Sequence, residues 1–442
     1  MGAISLQTAA ALADQFAAKP ENLAASRAAR RSGLQAAAFN DHVTAKLQPV
    51  FSTELKIGTV TNQKHSGRCW EFSSLNVLRH YFGQKYQVKN FVFSQAYNFF
   101  WDKLERANAF YDKMIALANQ PLDDREVRAW LDFAGEDGGL WPMAANLIAK
   151  YGLLPAYAMP ENFNSNNTAA LASYLAKKER KDALTLRKLA QTGQADQLAA
   201  FKQQCLSEIY QIAAIALGQP PKTFDLEYRD DKGQYNLDKG LTPQRFFKKY
   251  FADFNLDDYV LLLNAPNFDY GKRYHQDLYD NIVGGAPIVG LNLPMEELTQ
   301  AALAQLKAGQ AVQFSNDVMQ QMDRQTGFMD PDLYELDALL GVNSQMSKAD
   351  RLATREGLAT HDMTLVGADE DQGQVKRWKV ENSWGEEHGH KGFFVMSQSW
   401  FEQYAYTVIV NKKFLSAKAQ ALLNEPPVDV KPWENVGISW AK

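Results

Sequence analysis

The chain has 442 residues, is 46% hydrophobic and 12% aromatic, and carries a net charge of −4 at neutral pH. That content supports a large packed core spread over a few structural units, and the charge gives no general electrostatic case for nucleic acid. No stretch approaches a membrane span, and two cysteines in unrelated contexts provide no disulfide framework, which fits a reducing cytosol.

Residues 1–55 are mostly helical in pattern. Met1 to Lys19 is alanine-rich and interrupted by Asp14, without the basic start and continuous apolar core of a secretory signal; a cytoplasmic location is therefore expected. A nucleophile lobe is expected over 56–165, opening with Gln63-Lys64-His65-Ser66-Gly67-Arg68-Cys69-Trp70-Glu71-Phe72-Ser73-Ser74. Phe72, Leu75, Leu78 and Phe82 recur at helical steps and predict an amphipathic helix. Ser66 or a near neighbour would cap it and put Cys69 in its first turn. Exposed N–H groups and the helix dipole favour a thiolate there. The upstream Gln63 offers an amide that can donate to an oxyanion. Further along, the adjacent Gly138 and Gly139 allow a substrate main chain to come close.

Residues 166–258 read as an inserted helical unit, rich in Lys, Glu, Gln and Ala. Its Cys205 falls at helical spacing with Leu198, Phe201, Ile209 and Ile212, as a core residue would. Residues 259–415 turn to β pattern, with Val289–Leu293 and Ala311–Phe314 separated by a helix around Met295 to Lys307. Thr360–Gly367 and Val380–Gly385 read as neighbouring strands across a turn from Ala368 to Gln374. Such a hairpin sets His361 beside Asn382, so that the asparagine orients an imidazole able to serve a cysteine as base. Trp384 would cover that hydrogen bond. His388-Gly389-His390 lacks supporting ligands and reads as a solvated loop, and the chemistry needs neither metal nor cofactor. In 416–442, Pro426, Pro427, Pro432 and Gly437 disfavour a helix, so Asn424 to Lys442 should be an extended arm.

Taken together, Gln63, the Ser66-Gly67-Arg68-Cys69-Trp70 run, His361 and Asn382-Ser383-Trp384-Gly385 resemble the papain-like cysteine peptidases. Thr61 to Trp70, Phe93 to Tyr97, Phe100 to Lys103 and Lys379 to Gly385 are similar, more narrowly, to the bleomycin hydrolase and bacterial aminopeptidase C branch. The resemblance spans essentially the whole chain. It implies an α+β, two-lobed fold, with Cys69 as nucleophile, His361 as base, Asn382 as orienter and Gln63 in the oxyanion role. It further implies peptide substrates, Gly138 and Gly139 lining the cleft, and an insertion that assembles a homohexamer. The C-terminal arm would lie in the cleft, its terminal carboxylate (here on Lys442) binding the substrate's α-amino group.

The chain departs from the branch in three places. Its end reads Gly437-Ile438-Ser439-Trp440-Ala441-Lys442 where relatives finish near Gly-Ala-Leu-Ala, which keeps an endopeptidase as an alternative to an aminopeptidase. Glu71 replaces an apolar residue, and Asp362 follows the histidine where alanine is common. Either carboxylate near the cleft would favour basic substrates or raise the pKa of His361. A non-catalytic oligomeric binding protein on the same fold is the rival from another class; no catalytic residue is lost to support it.

Overall fold

The computed structural model describes residues 2–438. Its central feature is the helix Cys69–Tyr86, which starts on the cysteine itself. The periodic apolar residues predict one buried face. Instead every residue from Cys69 to His80 is buried, including Glu71, Ser73, Ser74, Asn76, Arg79 and His80. Those polar groups mostly have partners on distant segments, so burial is tolerated on every side. Ser66 does not cap the helix: its hydroxyl donates to the Gln63 carbonyl at 2.6 Å, and Arg68 occupies the cap position without a side-chain bond.

The helix lies against a twelve-stranded mixed sheet. Successive neighbours across its middle are Tyr259–Leu263, Ala405–Asn411, Val312–Asn316, His361–Asp371, Gln374–Glu381 and Phe393–Ser397. His361–Asp371 and Gln374–Glu381 form the hairpin expected from the sequence. The turn is tighter than Ala368–Gln374, however. The strands pair as far as Asp371 and Gln374, and only Gln372 and Gly373 remain, both with positive φ (52° and 82°). A two-residue turn of that hand matches the twist of the strands. The helix Met295–Lys307 connects Val289–Asn292 to Val312–Asn316.

Two long helices, Ala169–Gln191 and Ala195–Leu217, occupy the first part of residues 166–258. Beyond them the chain is not helical throughout: Phe224–Arg229 and Tyr235–Leu241 pair as a separate two-stranded sheet. Phe224 and Leu226 alternate with exposed residues, a period-two signal that the helix-rich surroundings obscure. Cys205 is buried in the main core.

The C-terminal segment is docked as far as it is described. Val428–Asp429 adds a short parallel strand to Lys272–His275, and Val430, Asn435, Val436 and Ile438 are buried. Asn435 Nδ2 donates to the carbonyls of Gly357 at 2.8 Å and Leu352 at 3.3 Å. Lys442, the expected anchor for a substrate amine, lies outside the described residues. Among the described residues no helix is long and apolar enough to cross a membrane.

Candidate active site

Gln63, Cys69, His361 and Asn382 come from three segments, and buried polar contacts fix those segments to one another. Within the Cys69 helix, Arg79 pairs with Glu381 and His80 Nε2 lies 2.5 Å from the same carboxylate. Burial raises Glu381, but Arg79 and the contact with His80 outweigh it and hold the carboxyl below the usual carboxylate range. Glu381 directly precedes Asn382, so the ion cluster sets the distance between nucleophile helix and orienting asparagine. Gln313 makes a second bridge. It accepts from Ser74 at 2.9 Å and donates to Asp362 at 3.2 Å, joining the helix to the residue after His361.

His361 Nε2 and Asn382 Oδ1 are 2.8 Å apart. The same Oδ1 accepts the Ser383 N–H at 2.8 Å, so the amide is held with its oxygen towards the imidazole. This leaves Nδ1 as the ring nitrogen available for chemistry. The Trp384 ring sits 4.9 Å from the His361 ring at 32°, half-buried over the pair. Burial depresses His361 to about 4, opposed by the Asn382 hydrogen bond and assisted by the nearby Arg324 cation.

Cys69 is 4% exposed, not open at a helix end as its sequence context suggests. Burial pushes its thiol up, and the Asp362 carboxylate adds to that. The main-chain N–H groups of Asp362, Trp70 and Cys69 act in the opposite sense and favour a thiolate. Gln63 is buried as well. Its Nε2 donates to the Ser66 carbonyl at 2.7 Å, and its Oε1 accepts from Ser383 at 2.5 Å. One of the two amide hydrogens is left for another acceptor.

The loop with Gly138 and Gly139 is tied to the same helix. Trp70 Nε1 donates to the Asp137 carbonyl at 2.8 Å, and Arg106 donates to the Gly138 carbonyl. A Cβ on Gly139 would come within 2.5 Å of the Trp70 ring, so only glycine fits there without moving the indole. Both glycines are buried.

The two unusual carboxylates do not lie on the surface. Glu71 is fully buried, with no hydrogen-bond partner for either oxygen among the described residues, and burial raises it well above the usual range. Asp362 is also fully buried, and burial pushes it up to about 7. Among the described residues, no group of three or more His, Cys, Asp and Glu side chains could hold a metal ion. Sequence reasoning missed Arg324, whose guanidinium carbon lies 4.6 Å from the centre of the Trp384 ring. An isolated arginine in a polar turn carries no sequence signal for that position.

The Peptidase C1-like family matches residues 3–437. An aminopeptidase G of Lactobacillus delbrueckii subsp. lactis is 58% identical over 433 residues, covering 98% of this chain and 99% of the relative. An aminopeptidase C of the same organism is 39% identical over 440 residues, covering 98% of each. The crystal structure of PepW from Lactobacillus rhamnosis HN001 superposes with a TM-score of 0.96 at 43% identity, covering 99% of both chains. The fold is accordingly papain-like, of mixed α+β class.

Proposed function

The chain belongs to the Peptidase C1-like family and is a cysteine-type peptidase, and from that premise we propose a cytoplasmic aminopeptidase that removes N-terminal residues from peptides with broad specificity. The observation that carries this reading is the His361–Asn382 hydrogen bond of 2.8 Å, on a strand that packs directly against the helix opening with Cys69. In this reading the Cys69 helix and its surroundings form one lobe, the sheet with His361 and Asn382 forms the other, and residues 166–258 are an insertion that mediates assembly as a homohexamer.

The reaction begins from a neutral pair, since burial disfavours both the thiolate and the imidazolium when each stands alone. Transfer of the thiol proton to His361 Nδ1 creates two opposite charges side by side, supported by the helix N-terminus and by Asn382. The Cys69 sulfur then attacks the peptide carbonyl carbon. The developing oxyanion takes the remaining Gln63 amide hydrogen and the Cys69 main-chain N–H. His361 returns its proton to the leaving nitrogen, the C–N bond breaks, and an acyl-enzyme remains. Water, deprotonated by His361, attacks the thioester; the carboxylic product leaves and the proton returns to sulfur.

Gly138 and Gly139 serve as the substrate-facing main chain in this reading, with Trp384 walling the imidazole. The C-terminal segment is docked up to Ile438, and the role this reading gives Lys442, outside the described residues, is to offer its carboxylate to the substrate's free amine. The test compares a free-amine peptide with its N-acetylated twin, using wild type, Cys69→Ser and a form ending at Ile438. Wild type should cleave only the free-amine peptide, the serine variant neither, and the shortened form both. Internal cleavage of the acetylated peptide by wild type would favour the endopeptidase instead.

A further inference from the structure

Arg324 stands at the tip of the turn between the short strands Met322–Asp323 and Phe328–Met329. The turn is rigid. Asp323 accepts from the Thr326 hydroxyl at 2.5 Å and the Thr326 N–H at 3.1 Å, and the Gly327 N–H donates to the Asp323 carbonyl at 2.9 Å. A further bond, from the Gly389 N–H to the Gln325 carbonyl at 3.1 Å, pins it to the loop that follows Trp384. The Asp323 carboxylate is therefore engaged within the turn. Glu386 and Glu387, exposed just beyond Trp384, form no ion pair with Arg324, and no other carboxylate among the described residues does.

The order of groups is then imidazole, indole, guanidinium: His361 to Trp384 at 4.9 Å, and Trp384 to Arg324 at 4.6 Å. The indole holds the cation by cation–π attraction, yet the guanidinium remains exposed, with its forked donors able to take a carboxylate. Because His361 delivers its proton to the leaving nitrogen, that nitrogen has to approach the imidazole, and the leaving residue has to run along the groups bordering it. In a dipeptide the terminal carboxylate carbon is only two bonds from the leaving nitrogen.

We propose that Arg324 is a carboxylate-binding subsite on the leaving-group side of the scissile bond, selecting substrates whose leaving residue carries a negative charge. This rests on the peptidase reading above and adds its substrate class. The charge can come from the free C-terminus of a dipeptide or from an acidic side chain in the leaving residue. A bound carboxylate also does more than anchor. The Arg324 cation opposes protonation of His361, so neutralising it makes the imidazolium easier to form at the moment the reaction needs it.

The test measures kcat and KM for Leu-Ala, Leu-Ala-amide, Leu-Asp-amide and Leu-Asn-amide with wild type, Arg324→Gln and Arg324→Lys. Wild type should prefer Leu-Ala over its amide, and Leu-Asp-amide over Leu-Asn-amide, by about tenfold or more in kcat/KM, as for one charge-assisted contact. Preference in the first pair alone assigns the subsite to the terminal carboxylate, and in the second alone to the side chain. Arg324→Gln should erase the preference, bringing each charged substrate to the level of its uncharged partner, and Arg324→Lys should restore part of it. Equal rates on charged and uncharged partners in wild type, or a uniform loss on all four in Arg324→Gln, would overturn the subsite alone. Failure of wild type to cleave any of the four would overturn the aminopeptidase reading as well.

Discussion

Gln63 and Ser383 grip each other twice: the Gln63 N–H donates to the Ser383 carbonyl at 2.8 Å, and the Ser383 hydroxyl donates to Gln63 Oε1 at 2.5 Å. The direction of the carboxamide is set from its other end, where Gln63 Nε2 donates at 2.7 Å to the Ser66 carbonyl, a group that can only accept; the Ser383 hydroxyl then holds the oxygen side. Ser383→Ala should leave the amide tethered only through Ser66, loosen it and lower kcat by up to roughly tenfold, less than the loss on the order of a hundredfold for Gln63→Ala. Steady-state kinetics of both variants check this. Full turnover in Ser383→Ala would mean that the bond to the Ser66 carbonyl alone holds the amide in place.

Asn382→Ala removes the acceptor for His361 Nε2 and also the acceptor for the Ser383 N–H. Turnover should fall substantially without vanishing, since the imidazole retains the Trp384 wall. The hydrogen bond it loses supports the protonated ring, so the His361 pKa should drop further below about 4. Imidazole titration by NMR tests the direction, and an unchanged or raised value would contradict it.

Glu71 tests the cost of an unpaired buried acid. Its folded-state pKa is raised, so above the ordinary glutamate pKa the unfolded chain releases a proton that the folded chain retains. Stability is therefore lost as pH climbs through that range. Glu71→Gln cannot ionise in either state and should exceed wild type in stability at pH 7 by on the order of 1 kcal/mol or more. The gap should close towards pH 4. Denaturant melts at the two pH values measure it; equal stability at pH 7 would show that Glu71 ionises freely inside the fold.

His275 bridges two carboxylates, with Nε2 2.9 Å from Asp280 and Nδ1 2.7 Å from Asp429 in the C-terminal segment. Asp280 and then Asp429 raise it to about 9 against partial burial. A raised histidine pKa stabilises fully below its unfolded value of about 6.5 and ceases to do so as pH rises through about 9. The segment from Val428 should therefore exchange amide hydrogen faster, relative to the rest of the chain, between pH 7 and pH 9.5. His275→Gln should remove that excess pH dependence.

The active segments were legible because each has a strong local signal: a cysteine ahead of a helical period, and two β-branched runs carrying His361 and Asn382. Their mutual fixation was not. Glu381 is read from sequence as an ordinary strand residue, but it meets Arg79 and His80 across about 300 residues of chain, and no local pattern encodes such a meeting. The same long-range pairing is why a helix expected to be half exposed is buried on every side from Cys69 to His80. Ser66 looks like a cap because its type is right, yet its hydroxyl is already engaged with the Gln63 carbonyl. The Phe224–Leu241 hairpin is hidden by its neighbours' composition, and Arg324 by the absence of any neighbours in sequence that would mark it.

The Trp70 indole, seated under Gly139 and bonded to the Asp137 carbonyl, makes the glycine loop and the start of the nucleophile helix a single interchangeable part. A loop transplanted from a relative with a different residue at 139 would press on a ring just one peptide unit from the Cys69 sulfur. Altering what the loop admits without disturbing the nucleophile therefore calls for trading positions 70 and 137–139 as a block, whereas a side chain added at Gly139 alone would register first as a reactivity change at Cys69.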